Sequence, residues 1–477
     1  MIRIRDIALP PAHSAQQLQY EAAQLLRLSP SRIRKLTIVR RSVDARKKPE
    51  IKIVYTVDVA VEGSENKVLR QAGCKRASLA PVSFYHPPGP RPAAESRPVV
   101  VGFGPAGMFA ALVLALAGQK PLVLERGEDA QARHAAVEKF WSDGSFDRRS
   151  NVQFGEGGAG TFSDGKLNTG VNNPRIHWIL EQLVAAGAGE DILYDAKPHV
   201  GTDVLLTVVQ NIRKRIISLG GEVRFSTQVT DLEQEGHCLT ALVTESGEKI
   251  PCRQAVLAIG HSARDTFEML QARCVPMEPK PFAMGVRIEH RQEMVNRAQY
   301  GIDQPALPPA DYKLVKHLDE NTVYTFCMCP GGYVVAAASE EGGVVTNGMS
   351  YAHRAGENAN AALLVTLNPQ VFPYPGALGG MYWQREIEQR AYGLSGSYCA
   401  PAQRIGDFLQ GVPSTGAGAV QPTYRPGVHW CDLHRVLPAG ITDALEKAIP
   451  ALDGNLKGFA DPDGVLTAPE TRSSSPV

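Results

Sequence analysis

A glycine-rich turn, GFGPAG at residues 102–107, has the residue types and spacing that bind a dinucleotide phosphate. Gly102 permits a tight turn, Gly104 lets the backbone approach a pyrophosphate without a Cβ in the way, and Gly107 allows close helix packing. A helix that starts here offers free N–H groups and its positive dipole end to the phosphates. Because short glycine patterns also occur by chance, the prediction depends on the elements around the turn.

The flanking sequence has the order strand, turn, helix, strand of a dinucleotide-binding βαβ unit. The pattern predicts a short apolar strand at Pro98–Val101, an apolar helix at Met108–Ala117 and a second strand at Pro121–Leu124. Glu125 follows 23 positions after Gly102, where a carboxylate accepts hydrogen bonds from the adenosine ribose hydroxyls and disfavours a 2′-phosphate. A glycine-rich turn in an α/β protein without a nucleotide is the alternative.

The downstream sequence favours FAD over NAD as the dinucleotide. An FAD-binding chain leaves the first sheet, crosses the cofactor and returns through a small meander to a strand that ends in a small-residue turn. Short runs of β-type residues lie between residues 222 and 259, including Glu222–Phe225 and Leu239–Thr244, and predict such a meander. The run AVLAIG at residues 255–260 has the form of the final strand and turn, and an ordinary buried strand is the alternative.

A second glycine-rich segment, FGEGGAGTFSDGKL at residues 154–167, is a candidate cofactor loop. Its backbone can approach a flat ring closely, and the side chains of Thr161 and Ser163 can reach anionic oxygens. Lys166 is a candidate for the flavin N1–C2=O edge, where negative charge develops on reduction. A flexible surface loop with a solvated lysine is the alternative interpretation.

His261 follows the predicted flavin-side turn directly and is a candidate proton relay, because the unperturbed pKa of histidine lies near neutrality. A hydrogen-bonded structural histidine is the alternative. Arg264 and Asp265 are expected at most to pair with each other. The sequence therefore assigns no catalytic acid or base.

The eight cysteines are scattered, with no CxxC pair and no zinc spacing, so no metal site is predicted. Cys327 and Cys329 lie on a predicted strand, 322–328, where alternation places both thiols on one face. They are a candidate redox pair, or simply part of the core or a pocket wall. An N-terminus without a signal peptide and a longest apolar stretch too short to span a bilayer predict a cytoplasmic protein without a transmembrane segment.

The net charge of the 477 residues is +1, but it is unevenly distributed. Residues 1–90 contain sixteen Lys and Arg against seven Asp and Glu, so they carry +9 and the remainder −8. Domains with complementary surfaces explain this division, and a basic module that binds an anionic partner is the alternative. The basic stretch 40–48 has no interleaved aromatic residues, so nucleic-acid binding is not expected.

The sequence predicts an α/β fold: a doubly wound FAD/NAD(P)-binding Rossmann-type domain with a β-meander, a small α+β N-terminal module and a mixed β substrate region. A length of 477 residues corresponds to roughly two to four domains. The predicted divisions are an α+β module at 1–80, a proline-rich linker at 81–97, the FAD-binding domain at 98–280, a substrate or interface region at 281–440, and an incomplete return toward the FAD domain at 441–477.

Motifs along nearly the whole chain together resemble the family of bacterial FAD-dependent dehydrogenases, or NAD(P)/FAD-dependent oxidoreductases. They are VDARKK (43–48), GFGPAG (102–107), FGEGGAGTFSDGKL (154–167), GHSARD (260–265), CMCPGG (327–332), NGMSY (347–351) and PETR (469–472). The segment 154–167 is long and unusual, which makes the resemblance specific.

The resemblance implies bound FAD, a ferredoxin-like N-terminal module, and the placement of Gly155–Lys166 over the cofactor. Chains of this family continue past the segment that matches Asp463–Val477, with a glycine-rich loop and a helix that complete the flavin site. The resemblance therefore leads to the expectation of a C-terminally truncated family member whose retention of FAD needs testing.

These arguments predict an FAD-dependent oxidoreductase, a dehydrogenase that passes a hydride or electron pair through bound flavin. Two electron donors remain open: NAD(P)H that binds transiently, or the substrate itself. The predicted partner is a small-molecule substrate or an electron-transfer protein. A reductase or hydroxylase of a lipid-like or aromatic substrate is the second candidate, and a truncated non-catalytic chain or anion-binding module is the third. The oligomeric state is left open. The predicted cofactor-binding residues are Gly102, Gly104, Pro105, Ala106, Gly107, Glu125, Arg126, Gly155, Gly157, Gly158, Gly160, Thr161, Lys166, Val229, Ala258 and Gly260.

Overall fold

A computed structural model describes residues 1–81, 85–301 and 306–477. Residues 82–84 of the predicted linker lie outside the described residues. The chain forms two compact units. The first comprises Met1–His86, Lys166–Val200 and Asn296–Ala310, and the second comprises Pro87–Gly165, Gly201–Val295 and Asp311–Val477.

The described residues form β-strands and α-helices with the following bounds. The strands are β1 Ile2–Leu9, β2 Ile33–Asp44, β3 Lys52–Val61, β4 Ala77–Leu79, β5 Val99–Val101, β6 Leu122–Leu124, β7 Glu222–Arg224, β8 Val229–Glu235, β9 Cys238–Thr244, β10 Lys249–Pro251, β11 Ala255–Leu257, β12 Phe282–Arg291, β13 Val315–His317, β14 Thr322–Cys329, β15 Tyr333–Ala336, β16 Thr346–Met349, β17 Asn358–Leu367, β18 Ala400–Arg404, β19 Val428–Trp430 and β20 Val465–Glu470. The α-helices are α1 Ala15–Leu25, α2 Glu65–Ala72, α3 Pro105–Leu116, α4 Ala130–Asp143, α5 Arg175–Ala185, α6 Thr202–Ser218, α7 Arg264–Ala272, α8 Gln292–Tyr300, α9 Gly379–Ser395, α10 Ile405–Leu409 and α11 Ala439–Asp453.

The first unit contains a four-stranded antiparallel sheet in the order β2-β3-β1-β4. With α1 after β1 and α2 after β3, this is the βαββαβ arrangement of a ferredoxin-like module. Alternating Ile2, Ile4, Val57 and Val59 are buried, as a half-buried sheet requires. A capping box at Ser14 starts α1 by satisfying N–H groups that the first helical turn leaves free.

The first unit also includes chain from outside the predicted 1–80 module. Arg41 of β2 forms a parallel bridge with Asp195, and its guanidinium donates to both carboxylate oxygens of Asp195 at 2.6 and 2.8 Å. The same guanidinium lies over the ring of Tyr194, 5.1 Å from its centroid. These contacts join residues 166–200 to the module, a long-range pairing that sequence periodicity does not reveal.

The second unit contains a parallel sheet in the order β11-β5-β6-β7, with α3 connecting β5 to β6. The antiparallel strands β8, β9 and β10 form a separate three-stranded meander. Buried side chains of the sheet, including Val99 and Leu122, pack with Leu232 and Leu242 of the meander and Leu270 of α7. A parallel sheet with βαβ topology and a meander gives the predicted Rossmann-type α/β fold.

Two features of this region differ from the sequence interpretation. Residues 222–224, predicted as part of the meander, form β7 at the edge of the parallel sheet, where they pair with β6. Helix α4 is not among the helices predicted from the sequence. It begins because the side chain of Asp129 accepts hydrogen bonds from the N–H groups of Gln131 and Ala132.

The second unit also contains a seven-stranded sheet in the order β13-β14-β17-β12-β20-β18-β19. The long central strands β12 and β17 are almost entirely buried, including the charged side chains of Arg287 and Glu289 in β12. Strand β20 lies between β12 and β18, so the segment 441–477 adds to this sheet rather than to the parallel one. Among the described residues, no helix is long and apolar enough to cross a membrane.

Strand β14 does not keep the alternation expected around its two cysteines. The register with β17 shifts between Phe326 and Cys329, and Cys327 has a φ of +43°. This bulge turns the chain, so Cys329 is fully buried while Cys327 is half-buried, and the prediction that both thiols share one face is wrong.

Candidate functional site

A cleft of about 570 Å³ opens in the second unit at the carboxyl ends of three parallel strands, β5, β6 and β11. Ligands of open α/β sheets bind in crevices at this edge. The cleft is lined by Val101, Gly102, Gly104, Pro105, Ala106, Leu124, Glu125, Arg126, Gln153, Phe154, Gly155, Gly158, Ala159, Gly160, Thr227, Val229, Leu257, Ala258, Ile259, Gly260, His261, Ser262, Thr266, Phe267 and Leu270.

The glycines of the first turn are required by close backbone contacts. Gly102 has a φ of +96°, and a Cβ there would lie 2.4 Å from the carbonyl oxygen of Ala258. A Cβ on Gly107 would lie 2.0 Å from the carbonyl oxygen of Gly102. Helix α3 begins immediately after Gly104, so the N–H groups of its first turn, which have no intrahelical acceptor, face this end of the cleft.

Glu125 is buried and held by backbone groups. Its Oε2 accepts the N–H of Phe103 at 2.7 Å, and its Oε1 accepts those of Gly127 and Gly155 at 2.9 and 3.0 Å. The carboxylate therefore fixes the first turn and the second glycine-rich loop relative to each other. Because each carboxylate oxygen has two lone pairs, Oε2 keeps one for a ligand hydroxyl.

The two glycine-rich segments cross at van der Waals distance. A Cβ on Gly158, which has a φ of +61°, would lie 2.9 Å from the Cα of Gly104. A Cβ on Gly127 would lie 2.6 Å from the Cα of Gly155. A side chain at Gly158 would collide with the turn at residues 102–107, and one at Gly127, just after β6, would collide with the second glycine-rich loop.

Arg133 of α4 holds the second glycine-rich loop in place through hydrogen bonds to its backbone. Its guanidinium donates to the carbonyl oxygens of Asn151, Val152, Glu156 and Gly158 at 2.6–3.0 Å, and it is completely buried. Burial lowers the pKa of Arg133 to about 10, which still leaves it charged at neutral pH. Sequence reasoning missed this residue, because the only signal is an arginine inside a helix that was itself not predicted.

Arg126 forms a polar wall of the cleft. It pairs with both carboxylate oxygens of Asp265 at 2.9 and 3.0 Å, donates to Thr266 and lies over the ring of Phe154. The expectation that Arg264 pairs with Asp265 is wrong. The two side chains leave the start of α7 in different directions, because successive helical residues do not share a face.

Arg264 instead enters a buried ionic network with Glu388 of α9. Glu388 accepts hydrogen bonds from Arg264 at 2.9 Å, from Arg472 at 2.8 and 2.9 Å, and from the hydroxyl of Thr471. Burial by itself would raise the pKa of Glu388, but the charges of Arg264 and Arg472 outweigh it and lower the pKa to about 2. The network joins α7, α9 and the chain after β20.

His261 lies on the cleft wall beside this network. Its Nδ1 is 2.8 Å from the hydroxyl oxygen of Ser262, which donates in turn to Oε1 of Gln153 at 3.1 Å. Burial, followed by the positive charges of Arg472 and Arg264, lowers the pKa of His261 to about 4. The imidazole is therefore neutral at neutral pH.

Most of the predicted cofactor-binding residues come together in this cleft. Those that line it are Gly102, Gly104, Pro105, Ala106, Glu125, Arg126, Gly155, Gly158, Gly160, Val229, Ala258 and Gly260. Gly107, Gly157 and Thr161 lie behind its surface, where Thr161 is buried against the turn at Gly157. Lys166 is not a lining residue and bridges His199 within the first unit.

Several lining residues were not predicted, among them Gln153, Ser262 and Phe267. Gln153 directly precedes the motif 154–167 and Ser262 lies within the motif 260–265, but their hydrogen bond joins residues 109 positions apart. Phe267 belongs to α7, a helix that approaches the cleft only in the folded sheet. No cluster of metal-ligating side chains occurs in the part of the chain that the structure describes.

Comparison with known proteins identifies the family. Residues 281–473 match a family described as "FAD-dependent protein, C-terminal domain-like", and residues 1–60 match a domain family of unknown function. An uncharacterized protein of Clostridium beijerinckii is 46% identical over 482 residues, which cover all of this chain and 90% of that protein. The chain belongs to this family of FAD-dependent proteins.

Solved structures similar to this chain are distant. They include L-amino acid deaminase from Proteus vulgaris (16% identity, 43% of this chain and 56% of that chain, TM-score 0.23). Others are the flavin-dependent brominase Bmp2 (14%, 63% and 61%, TM-score 0.31) and the GidA-related protein from Thermus thermophilus (15%, 40% and 73%, TM-score 0.25). The match to the L-amino acid deaminase spans little more than half of that protein's length.

The cleft fits FAD, the cofactor named in the description of the matched family. Its volume lies in the range of cofactor sites, about 300–1,000 Å³. It places a helix N-terminus free of acidic side chains beside a buried carboxylate, the donor and acceptor that a pyrophosphate and a ribose need. Glycines stand where a Cβ would fill the passage between these groups.

Proposed function

We propose that this cleft holds FAD and that the chain is an oxidoreductase that passes an electron pair through the flavin. The observation that carries the proposal is the joint geometry of the GFGPAG turn and Glu125, with the second glycine-rich loop crossing them. Membership in a family of FAD-dependent proteins supports it.

Each part of the cleft then has a role in binding. The N–H groups at the start of α3 bind the pyrophosphate, and Oε2 of Glu125 accepts a ribose hydroxyl. The loop at Gly155–Gly160, held by Arg133, excludes water from one side of the cofactor. A planar ring of the cofactor would pack against an apolar wall formed by Val229, Phe267 and Leu270.

The flavin, when bound, supplies the transfer of a hydride or of single electrons. The chain contributes one dinucleotide fingerprint, so a donor such as NADH or NADPH would bind transiently, or the substrate would itself reduce the flavin. We propose a dehydrogenase with a small-molecule substrate as the specific activity.

The first test is the visible absorption spectrum of the purified full chain, before and after incubation with FAD and desalting. Flavin bands that survive desalting support the proposal, and anaerobic reduction with NADH and with NADPH then identifies the donor class. A folded protein that retains no flavin under either condition contradicts it.

The variant Glu125→Gln makes this test specific. Its amide would direct two N–H donors at backbone N–H groups that now bind a carboxylate, so retention of flavin should be lost. Glu235→Gln, at the exposed end of β8, is the matched control and should retain flavin like the natural chain. Equal retention by both variants would exclude Glu125 from the site.

A further inference from the structure

The hydrogen bonds around Ser262 determine which nitrogen of His261 carries its proton. Nε2 of Gln153 donates to the carbonyl oxygen of Ala337 at 3.3 Å, so Oε1 of Gln153 must face Ser262. A flipped amide would set two oxygen acceptors against each other at Ala337. The orientation of the Gln153 side chain is therefore fixed by a backbone group.

The Ser262 hydroxyl consequently donates its hydrogen to Oε1 of Gln153, at 3.1 Å. Its oxygen then acts as the acceptor for the 2.8 Å contact with His261, so Nδ1 of His261 bears the hydrogen. The opposite assignment would leave two acceptors facing each other between Ser262 and Gln153. A neutral imidazole with hydrogen on Nδ1 has a lone pair on Nε2.

Burial, and after it two nearby cations, keep the imidazole neutral. Arg264 of α7 and Arg472 after β20 act on His261 with positive charge, and Glu388 of α9 opposes them only in part. Within the described part of the chain, Nε2 makes no hydrogen bond, and His261 lines the cleft. The cleft wall thus presents an acceptor, not a cation, at this position.

We propose that Nε2 of His261 accepts a hydrogen bond from a sugar hydroxyl of FAD and makes no contact with its phosphates. This rests on the proposed function, because it assigns a residue to the same cofactor. A lone pair repels phosphate oxygens, whereas the ribose and the ribityl chain of FAD carry hydroxyl donors. Gly260, directly before His261, lines the same cleft as Gly104 and Glu125.

The test measures FAD affinity of the full chain by quenching of flavin fluorescence. His261→Leu removes the acceptor and should raise the Kd for FAD about 2- to 13-fold, the effect of one lost hydrogen bond. His261→Gln keeps an acceptor oxygen and should recover part of the affinity. His237→Leu, in the exposed turn between β8 and β9, is the matched control and should leave the Kd unchanged.

A spectroscopic measurement on the natural chain separates the inference from any folding defect of the variants. With ¹⁵N-labelled histidine, His261 should show hydrogen on Nδ1 and an unprotonated Nε2 at neutral pH, and FAD should shift the Nε2 resonance. Hydrogen on Nε2, or an Nε2 resonance that FAD leaves in place, would overturn the proposal.

Fragments of FAD distinguish the source of the hydroxyl. A shift of Nε2 with ADP assigns the adenosine ribose, and a shift with FMN assigns the ribityl chain. If the natural chain binds no FAD, the proposed function fails. If it binds FAD while His261→Leu binds equally well, only the role of His261 fails.

Discussion

At the scale of single residues, the site depends on buried polar side chains that organise backbone. Glu125 collects N–H groups, and Arg133 collects carbonyl oxygens, from segments that are distant in sequence. Backbone N–H and C=O groups in glycine-rich loops have no partners from a helix or sheet, and these two side chains form hydrogen bonds with them instead. The loops therefore have a defined conformation without regular secondary structure.

Arg133→Met should unfold or severely loosen the loop at residues 151–158, because several buried carbonyl oxygens lose their donor. The expected loss is about 3–5 kcal/mol in the free energy of unfolding, measured by urea denaturation, together with loss of flavin retention. Arg253→Met is the control: the side chain of this exposed arginine makes a 3.8 Å ion pair with Glu95, and its loss should change stability by less than about 0.5 kcal/mol. Similar stabilities for the two variants would contradict the role of Arg133.

At the scale of elements, the crossing of the two glycine-rich segments sets the width of the cleft. Alanine substitutions at Gly158 and Gly118 test this. Both glycines have positive φ, but a Cβ at Gly158 would meet a backbone atom within 3 Å, whereas a Cβ at Gly118 would not. An alanine at either position carries backbone strain, and the ψ of −167° at Gly158 adds to it there, so FAD affinity rather than stability reports the crossing.

Gly118→Ala should cost about 1 kcal/mol of stability and leave FAD binding unchanged, since nothing lies within 4 Å of the new methyl group. Gly158→Ala should cost about 1–3 kcal/mol more and weaken FAD binding about tenfold or more, because its methyl group meets Gly104. Titration of both purified variants with FAD checks this. An unchanged FAD affinity for Gly158→Ala would show that the segments can separate without affecting the cofactor.

The network at Glu388 joins helices and strand ends rather than loops, and it predicts a pH dependence. The pKa of Glu388 is lowered to about 2 in the folded chain, so its contribution is complete above its unfolded pKa and is lost as the pH falls toward 2. Glu388→Gln should lower the free energy of unfolding by about 3–5 kcal/mol at pH 7, because buried Arg472 loses its ion-pair partner and Arg264 keeps only Glu340.

The difference in unfolding free energy between the natural chain and Glu388→Gln should narrow as the pH falls from about 5 to 3. In this range Glu388 takes up a proton in the unfolded chain while it stays ionised in the folded chain, so unfolding of the natural chain becomes easier. Urea denaturation of both proteins at pH 7 and pH 3.5 measures this difference. A gap that stays constant with pH would mean that Glu388 titrates normally.

At the scale of the whole molecule, the chain is divided into two compact units that are discontinuous in sequence. Each unit takes in segments that lie far from its main part, as Arg41 and Asp195 illustrate in the first unit. The candidate cleft lies entirely within the second unit. Binding there should therefore affect the two units differently.

FAD at about 100 times its Kd should raise the free energy of opening of the second unit by about 2.7 kcal/mol. Hydrogen exchange read from peptides of β5, β6 and β11 should slow on addition of FAD, while peptides of β1–β4 should not respond to the same degree. Equal protection of both units would show that FAD stabilises them as a single cooperative body.

The sequence by itself determined the dinucleotide turn at residues 102–107, the acidic residue that follows the second strand, and the α+β and Rossmann-type elements. These depend on local patterns: glycine spacing, apolar periodicity and strand–helix order. The family resemblance carried by residues 154–167 also needs only the sequence. Residues that line the cleft therefore came largely from motifs that are contiguous in the chain.

Only the tertiary structure decided which distant groups meet. The pairing of Arg264 with Glu388, the carbonyl cluster around Arg133 and the proton position on His261 all join residues separated by many positions. The bulge at Cys327 likewise depends on pairing with another strand. Such contacts follow from how sheets and helices pack, and a buried polar side chain gives no periodic signal that would reveal its partner.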